Sequence, residues 1–240
     1  YTQLIARRIR ELNVYSEIIP YNKFNNTNLN DYKGIILSGS PFSVNDNNAP
    51  QIDINIIKNH NVLGICYGAQ LITKLSGGTV AKSSIREYGR AKINIKKENN
   101  IFNSLTQNSD VWMSHADTIT AIPQNFEIIA STENINIAAF HVKDSSIYGL
   151  QFHPEVSHTV EGALIIKNFV FNVCYCNNNW TPYNFIDDAV YEIRNTVKND
   201  KVVLGLSGGV DSTVTAMLLN KTIGNNLFCI FVDNGLLRKN

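Results

Sequence analysis

The stretch Val62-Leu63-Gly64-Ile65 is an unbroken apolar run that passes through Cys66 into the helix-like sequence GAQLITKLSGG. A strand that is apolar on both faces has to be covered above and below, as in a parallel sheet flanked by helices. The same succession recurs along the chain. GIILSGSP reads as an apolar strand breaking into a turn, and QIDINIIKNH, which follows it, reads as a helix. Farther on, KVVLGL runs through a loop of small residues into STVTAMLLNKTIG and then the strand NLFCIFVDNG. Short apolar strands alternating with helices predict an α/β architecture.

Leu4, Ile5, Ile9 and Leu12 recur at helical spacing, which predicts an amphipathic helix over residues 1–12, with a strand near Val14–Ile19 after it. Gly77 and Gly78 suit the left-handed cap of the helix that follows Cys66. From about residue 79 to 152 the pattern changes to strand-like stretches, KINIKK, NIAAFHV and SIYGLQF, so antiparallel pairing enters the sheet. EGALIIKNFVFNVC reads as a long apolar helix that closes the domain. Residues 1–176 are therefore expected to form a mixed, largely parallel sheet flanked by helices. A break falls at CNNNW, and Thr181 with Pro182 makes a helix start, an N-cap followed by proline at the first helical position. Residues 177–240 are expected to be a linker and the beginning of a second, doubly wound parallel α/β domain. Two strands are too few for an independent sheet, so that domain reads as truncated, and the missing initiator Met points to residues upstream.

Composition narrows the function classes. Apolar residues make up 44% of the 240 and charged residues 17%, enough for a core and without a disorder signature. Lys plus Arg is 21 and Asp plus Glu is 20, a balance with no electrostatic footprint for nucleic acid or an anionic membrane. No apolar run reaches the roughly 18 residues of a membrane span, and the opening YTQLIARRIREL is not a secretory signal. Cys66, Cys174, Cys176 and Cys229 have no disulfide-framework spacing, and Cys174-Tyr175-Cys176 is too tight for an ordinary metal pair. The expectation is a soluble cytoplasmic protein in a reducing compartment. The asparagine-rich stretches NKFNNTNLND and VNDNNAP read as solvated loops.

A strand that ends in Cys66 and turns at once through Gly68 into a helix has the form of a nucleophile elbow, which lifts the sulfur above the sheet. The positive end of the helix dipole favours negative charge there. Taken alone, a cysteine at a strand end is more often a packed core residue. QFHPE supplies what a nucleophile lacks. His153 also sits at the end of an apolar strand, with Glu155 two residues on. A thiol needs a base to take its proton, and that base needs an acidic group to fix its tautomer. Strand-end placement of both would let them meet at one edge of one sheet.

GICYGAQ with a downstream HPE resembles the class I, triad-type glutamine amidotransferases, over most of residues 1–170. The resemblance implies that Cys66 attacks the side-chain amide of glutamine and that His153 acts as base and then as acid toward departing ammonia. It further implies that Glu155 orients His153 and that water hydrolyses the glutamyl thioester. SGSP matches the family's oxyanion turn, which assigns the backbone N–H groups of Gly39 and Tyr67 to the developing oxyanion. Ser40 stands where the family more often has a second glycine. Gln70 and, within MSHAD, Ser114, His115 and Asp117 match positions near the glutamine substrate, with Ala116 in place of the usual glycine.

The second constellation is LGLSGGVDS, residues 204–212. A strand enters a loop of small residues and leaves on a helix, so backbone N–H groups and the hydroxyls of Ser207 and Ser212 can surround phosphate oxygens. It is not a Walker loop, because the GK[ST] ending is absent. SGGVDS after a buried strand resembles the pyrophosphate loop of N-type ATP pyrophosphatases. That resemblance implies ATP contacts at Ser207, Gly208, Gly209, Val210, Asp211 and Ser212, Mg²⁺ held in part by Asp211, and adenine read by the backbone around Val232.

The two modules in this order, with IREYG (85–89) and FVDNGLLRKN (231–240), look like the glutamine-hydrolysing GMP synthetase family. The implied substrates are glutamine, ATP and xanthosine monophosphate (XMP), with Mg²⁺, no redox cofactor, no nucleic-acid or membrane partner, and a homodimer formed through residues beyond Asn240. Two other readings stay open. A glutaminase subunit of another amidotransferase predicts no working ATP loop, and a non-catalytic nucleotide-sensing module predicts a Cys66 that only packs.

Overall fold

The computed structural model describes residues 1–232, without the side chains at 83–87, 182, 184 and 188. The chain divides into two compact units, Tyr1–Asn179 and Trp180–Asn240. Among the described residues no helix is long and apolar enough to cross a membrane.

The first unit opens with helix α1 (Thr2–Arg10), which buries Ile5 and Ala6, and a helical turn, α2 (Tyr21–Phe24). Strand β1 (Ile35–Leu37), the turn α3 (Ile54–Ile57) and strand β2 (Val62–Ile65) lead into helix α4 (Tyr67–Leu75). Strands β3 (Thr79–Lys92), β4 (Asn94–Ile95), β5 (Asp110–Ala121), β6 (Phe126–Ser131), β7 (Ala139–Val142) and β8 (Ile147–Leu150) precede helix α5 (Gly162–Asn168). The main sheet has the order β1-β2-β8-β7-β6-β4, while β3 and β5 pair as a separate antiparallel ribbon. β1, β2 and β8 run parallel, whereas β8-β7, β7-β6 and β6-β4 are antiparallel. This is the mixed α/β sheet expected from the sequence.

All four residues of β2 are buried. Leu63 and Ile65 enter one core with Phe152, Phe169 and Met113, while Val62 enters another with Ile72, Phe140 and Ile147. That division follows the two-residue period of a strand and explains why the run carries no polar face. α4 comes very close to the sheet. A Cβ added at Gly64 would lie 2.7 Å from the Ala69 nitrogen, and one added at Gly68 would lie 2.2 Å from the Leu37 oxygen. The helix end is also as expected: Gly77 takes a φ of 89°, and the N–H of Gly78 returns to the Thr73 carbonyl at 2.8 Å.

Three elements differ from expectation. Residues 14–19 form no ladder. Val14 instead packs against Ile166 and Val170, and the segment is tied by side chains, with Arg10 Nη2 donating to the Ser16 carbonyl and Ser16 Oγ to that of Ala6. The helix read in QIDINIIKNH is the single turn α3, capped by Asp53, because its isoleucines and asparagines are weak helix formers and α3 itself buries only Ile57. The long closing helix changes at its midpoint from α5 to a π-helical turn, Phe169–Val173. There the Asn168 amide donates to the Ile101 and Asn103 carbonyls.

The second unit contains helix α6 (Pro182–Val197), strand β9 (Val202–Leu206), helix α7 (Val210–Ile223) and strand β10 (Leu227–Phe231). β9 and β10 are parallel neighbours. α7 buries no residue, and Val203, Met217, Phe228 and Ile230 stand exposed, since two strands and two helices enclose little core.

Gly68→Ala tests the close approach of α4. The added methyl must push the helix off β1, so a loss of about 1–3 kcal/mol is expected in a urea unfolding midpoint, although alanine is the better helix former.

Candidate active site

Cys66 lies where β2 becomes α4. Its N–H donates to the Leu150 carbonyl at 2.7 Å, prolonging the β2-β8 pairing, and its carbonyl accepts from Gln70 N at 3.1 Å, which starts the helix. Meeting both demands puts its backbone at φ 51°, ψ −104°, a conformation that costs a residue with a Cβ roughly 1–3 kcal/mol. The sequence reading put the turn at Gly68, but the strained residue is Cys66 itself. Gly68 is needed for clearance from Leu37.

His153 stands just beyond β8, the strand beside β2, and its N–H donates to the Trp112 carbonyl of β5 at 3.0 Å. The two strand ends therefore share one edge of the sheet. The His153 ring Nδ1 meets Glu155 Oε1 at 2.8 Å, which leaves Nε2 for the Cys66 sulfur. His153 is 2% exposed and Glu155 0%. Burial pulls the imidazole pKa down, but hydrogen bonds to Cys66 and Glu155 and their charges outweigh it and push it up to about 9. Glu155 Oε2 has no hydrogen-bond partner among the described residues, so the compensation for this buried carboxylate comes from His153.

Gly39 lies against this pair. A Cβ built on it would be 3.0 Å from His153 Cε1 and 3.8 Å from Cys66 Cβ. Tyr67 is the first residue of α4, where backbone N–H groups have no acceptor within the helix. A cavity of about 400 Å³ is lined by Ser38, Gly39, Ser40, Tyr67 and Gly68, with Ile18, Ile19 and Ile35, but neither Cys66 nor His153 belongs to its walls.

Gln70, Ser114, His115 and Asp117 gather around Cys66 on α4 and β5. The Cys66 thiol is 3.8 Å from the Ser114 carbonyl. Gln70 Nε2 donates to the Asp117 carbonyl at 2.7 Å, and His115 Nδ1 meets the same oxygen at 2.9 Å. Burial pulls the His115 pKa down, against the pull of that carbonyl. The Asp117 carboxylate accepts from Ser43 Oγ.

Three contacts escaped the sequence reading. Gln151 lies with its Nε2 3.9 Å from the Cys66 sulfur. It lies just past the end of β8, two residues before His153. Thr159 Oγ1 donates to the His153 carbonyl at 2.6 Å and accepts from Trp112 N at 3.0 Å. Arg8 Nε donates to the Glu155 carbonyl at 3.3 Å. Nothing in the sequence pointed to the last two, since loop and helix meet there only through the fold.

In the second unit, Ser207 follows β9 and Val210 opens α7. Gly208 takes a φ of 76° at the bend. The Ser207 and Ser212 hydroxyls meet at 3.1 Å, and Ser212 Oγ donates to the Gly209 carbonyl at 3.1 Å. Asp211 lies in the first helical turn. Leu206 pairs in register with Phe231, which brings Ser207 and Val232 to the same sheet edge. Asp211 is the carboxylate of this loop, and among the described residues no group of three or more His, Cys, Asp or Glu side chains is arranged to hold a metal ion. Of IREYG, only Tyr88 and Gly89 have described side chains, and residues 233–240 of FVDNGLLRKN lie outside the described residues.

Residues 1–173 match the glutamine amidotransferase class-I family model, and residues 183–233 match the NAD synthase model. The resemblance read from GICYGAQ and HPE agrees with the first match. The chain is 55% identical to the glutamine-hydrolyzing GMP synthase of Cytophaga hutchinsonii, over 100% of this chain and 47% of that protein. It is 54% identical to that of Phocaeicola vulgatus, over 100% and 46%. It thus spans about half the length of the curated relatives it matches. The crystal structure of a candidate GMP synthase subunit from Thermoplasma acidophilum superimposes with a TM-score of 0.63 at 30% identity, over 78% of this chain and 92% of that one.

The raised His153 pKa is testable. Cys66→Ala removes two of the four causes that raise it and leaves burial in place, so the imidazole titration followed by NMR should fall clearly below about 9. The folded value lies above the unfolded 6.5, so this group's contribution to stability is complete below about pH 6.5 and lost as pH rises through about 9.

Proposed function

This chain belongs to the glutamine amidotransferase class-I family, and on that premise we propose that it is the glutaminase part and the first ATP-binding part of a GMP synthase. Residues 1–176 act as the amidotransferase domain, and residues 177–240 as a linker and the start of an ATP pyrophosphatase domain. The observation that carries the reading is Cys66 on a strained strand-to-helix turn, beside a buried imidazole whose far nitrogen is held 2.8 Å from a carboxylate.

With Glu155 holding Nδ1, the His153 ring keeps Nε2 toward the sulfur and takes the thiol proton. The Cys66 thiolate adds to the side-chain amide carbon of glutamine, and the oxygen, now negative, accepts from the N–H groups of Gly39 and Tyr67. His153 returns the proton to the amide nitrogen as the carbon–nitrogen bond breaks, releasing ammonia and leaving a thioester. Water then attacks the thioester with His153 as base, and glutamate leaves with the thiol restored. Gln70, Ser114, His115 and Asp117 form the wall against which glutamine is placed.

In the second unit the loop from Ser207 to Ser212 receives the phosphates of ATP, by backbone N–H groups at the start of α7 and by the two serine hydroxyls. The backbone at Val232 meets adenine. Mg²⁺ arrives with ATP. Asp211 would hold that ion in part, since Mg²⁺ takes most of its ligands from phosphate and water. ATP adenylates the 2-oxygen of XMP with loss of pyrophosphate, and ammonia then displaces AMP to give GMP.

Cys66→Ala in the full-length protein is the direct test. Glutamine-dependent GMP formation should fall at least about a thousandfold, while formation from added ammonium should be unchanged. Loss of both activities together, in a variant that unfolds at the wild-type midpoint, would overturn this division of labour.

A further inference from the structure

Gln151 is 1% exposed, and its side chain sits among groups that leave it a single orientation. The Asp117 carbonyl can only accept, and Gln70 Nε2 donates to it at 2.7 Å. That contact decides which end of the Gln70 amide is nitrogen. The same Nε2 also donates to Gln151 Oε1 at 3.3 Å, so Gln151 must present its oxygen to Gln70 and its NH₂ group away from it. What that NH₂ group faces is the Cys66 sulfur, at 3.9 Å. The order is thus carried from a main-chain carbonyl on β5, through two buried amides, to the reacting atom.

We propose that Gln151 is a further catalytic residue, an N–H donor to the charged sulfur of Cys66, and that Gln70 is a positioning residue that fixes the Gln151 amide. The proposal rests on Cys66 being the nucleophile of a Cys–His pair. A neutral thiol is a weak acceptor and a thiolate a strong one, so a fixed donor favours the charged form. It acts alongside His153 but carries no proton away. It also gives Gln70 a role through Gln151, beside its place in the wall of the site.

The test is the rate of Cys66 alkylation by iodoacetamide in the full-length protein, read by peptide mass spectrometry and followed against pH. Losing a donor to a charged acceptor cuts the thiolate population about tenfold. The sulfur left behind is intrinsically more nucleophilic, so the net loss is smaller. Gln151→Leu should therefore react about threefold more slowly near pH 6 and as fast as wild type, or faster, near pH 10. Gln151→Met keeps the length of the side chain but no donor, and it should lose as much near pH 6 as Gln151→Leu. Gln70→Leu should shift the profile in the same direction by less. A merely packing role for Gln151 predicts parallel profiles without a crossing, and that result in variants with wild-type unfolding midpoints would overturn the proposal. His153→Ala separates the two levels. If it leaves Cys66 alkylation unchanged, the reading of the site as a Cys–His pair fails. If it slows alkylation while the Gln151 variants do not, the role of Gln151 alone is refuted.

Discussion

Residue 66 has to satisfy two hydrogen-bond patterns at once, and the first unit is arranged around that demand. Its N–H completes the pairing of β2 with β8, and its carbonyl opens α4. A residue with a Cβ does this only in a left-handed conformation, and the local cost has to be carried by packing elsewhere. β2 is buried along its whole length, and glycines at 64 and 68 let α4 lie directly on the sheet. The core therefore holds the turn closed, and the sulfur, itself buried, sits at the end of β2 beside the Ser114 carbonyl.

The electrostatics at that edge follow from what each buried ring faces. His115 and His153 are both buried, yet their pKa values move in opposite directions. The His115 Nδ1 meets a main-chain carbonyl, whose pull is outweighed by the cost of burying a charge, and its pKa falls. His153 has a fully buried carboxylate on one nitrogen and the sulfur near the other, and their attraction exceeds the same cost. The low-dielectric surroundings that penalise an isolated charge strengthen a paired one. Thr159, Trp112 and Arg8 hold the backbone of the His153–Glu155 segment, so the ring has little freedom to leave.

The loop at 207–212 follows a different logic. There the left-handed position is filled by Gly208, which takes it without a steric penalty, and the hydroxyls of Ser207 and Ser212 bond to one another, with Ser212 also donating to the Gly209 carbonyl. Both loops join a strand to a helix. One strains a cysteine beside a buried imidazole, and the other leaves an exposed row of small polar groups at the start of a helix.

Much of this was legible in the residues themselves. The apolar runs at 35–37, 62–65 and 147–150, and the glycines after α4, depend on local periodicity and backbone freedom, which a sequence carries directly. The elements at 14–19 and 54–57 were misjudged because pairing and helix length there depend on neighbours distant in the chain. The same boundary runs through the candidate site. Cys66, His153 and Glu155 stood out by residue type and by their place at strand ends. That β8 lies beside β2, that the Glu155 carboxylate meets the ring at 2.8 Å, and that Gln151 faces the sulfur were decided by the tertiary structure. Sequence determines which groups are available and the local shape of the chain. Which of them share a buried space, and so feel one another's charge, is set only when the sheet assembles and excludes water between them.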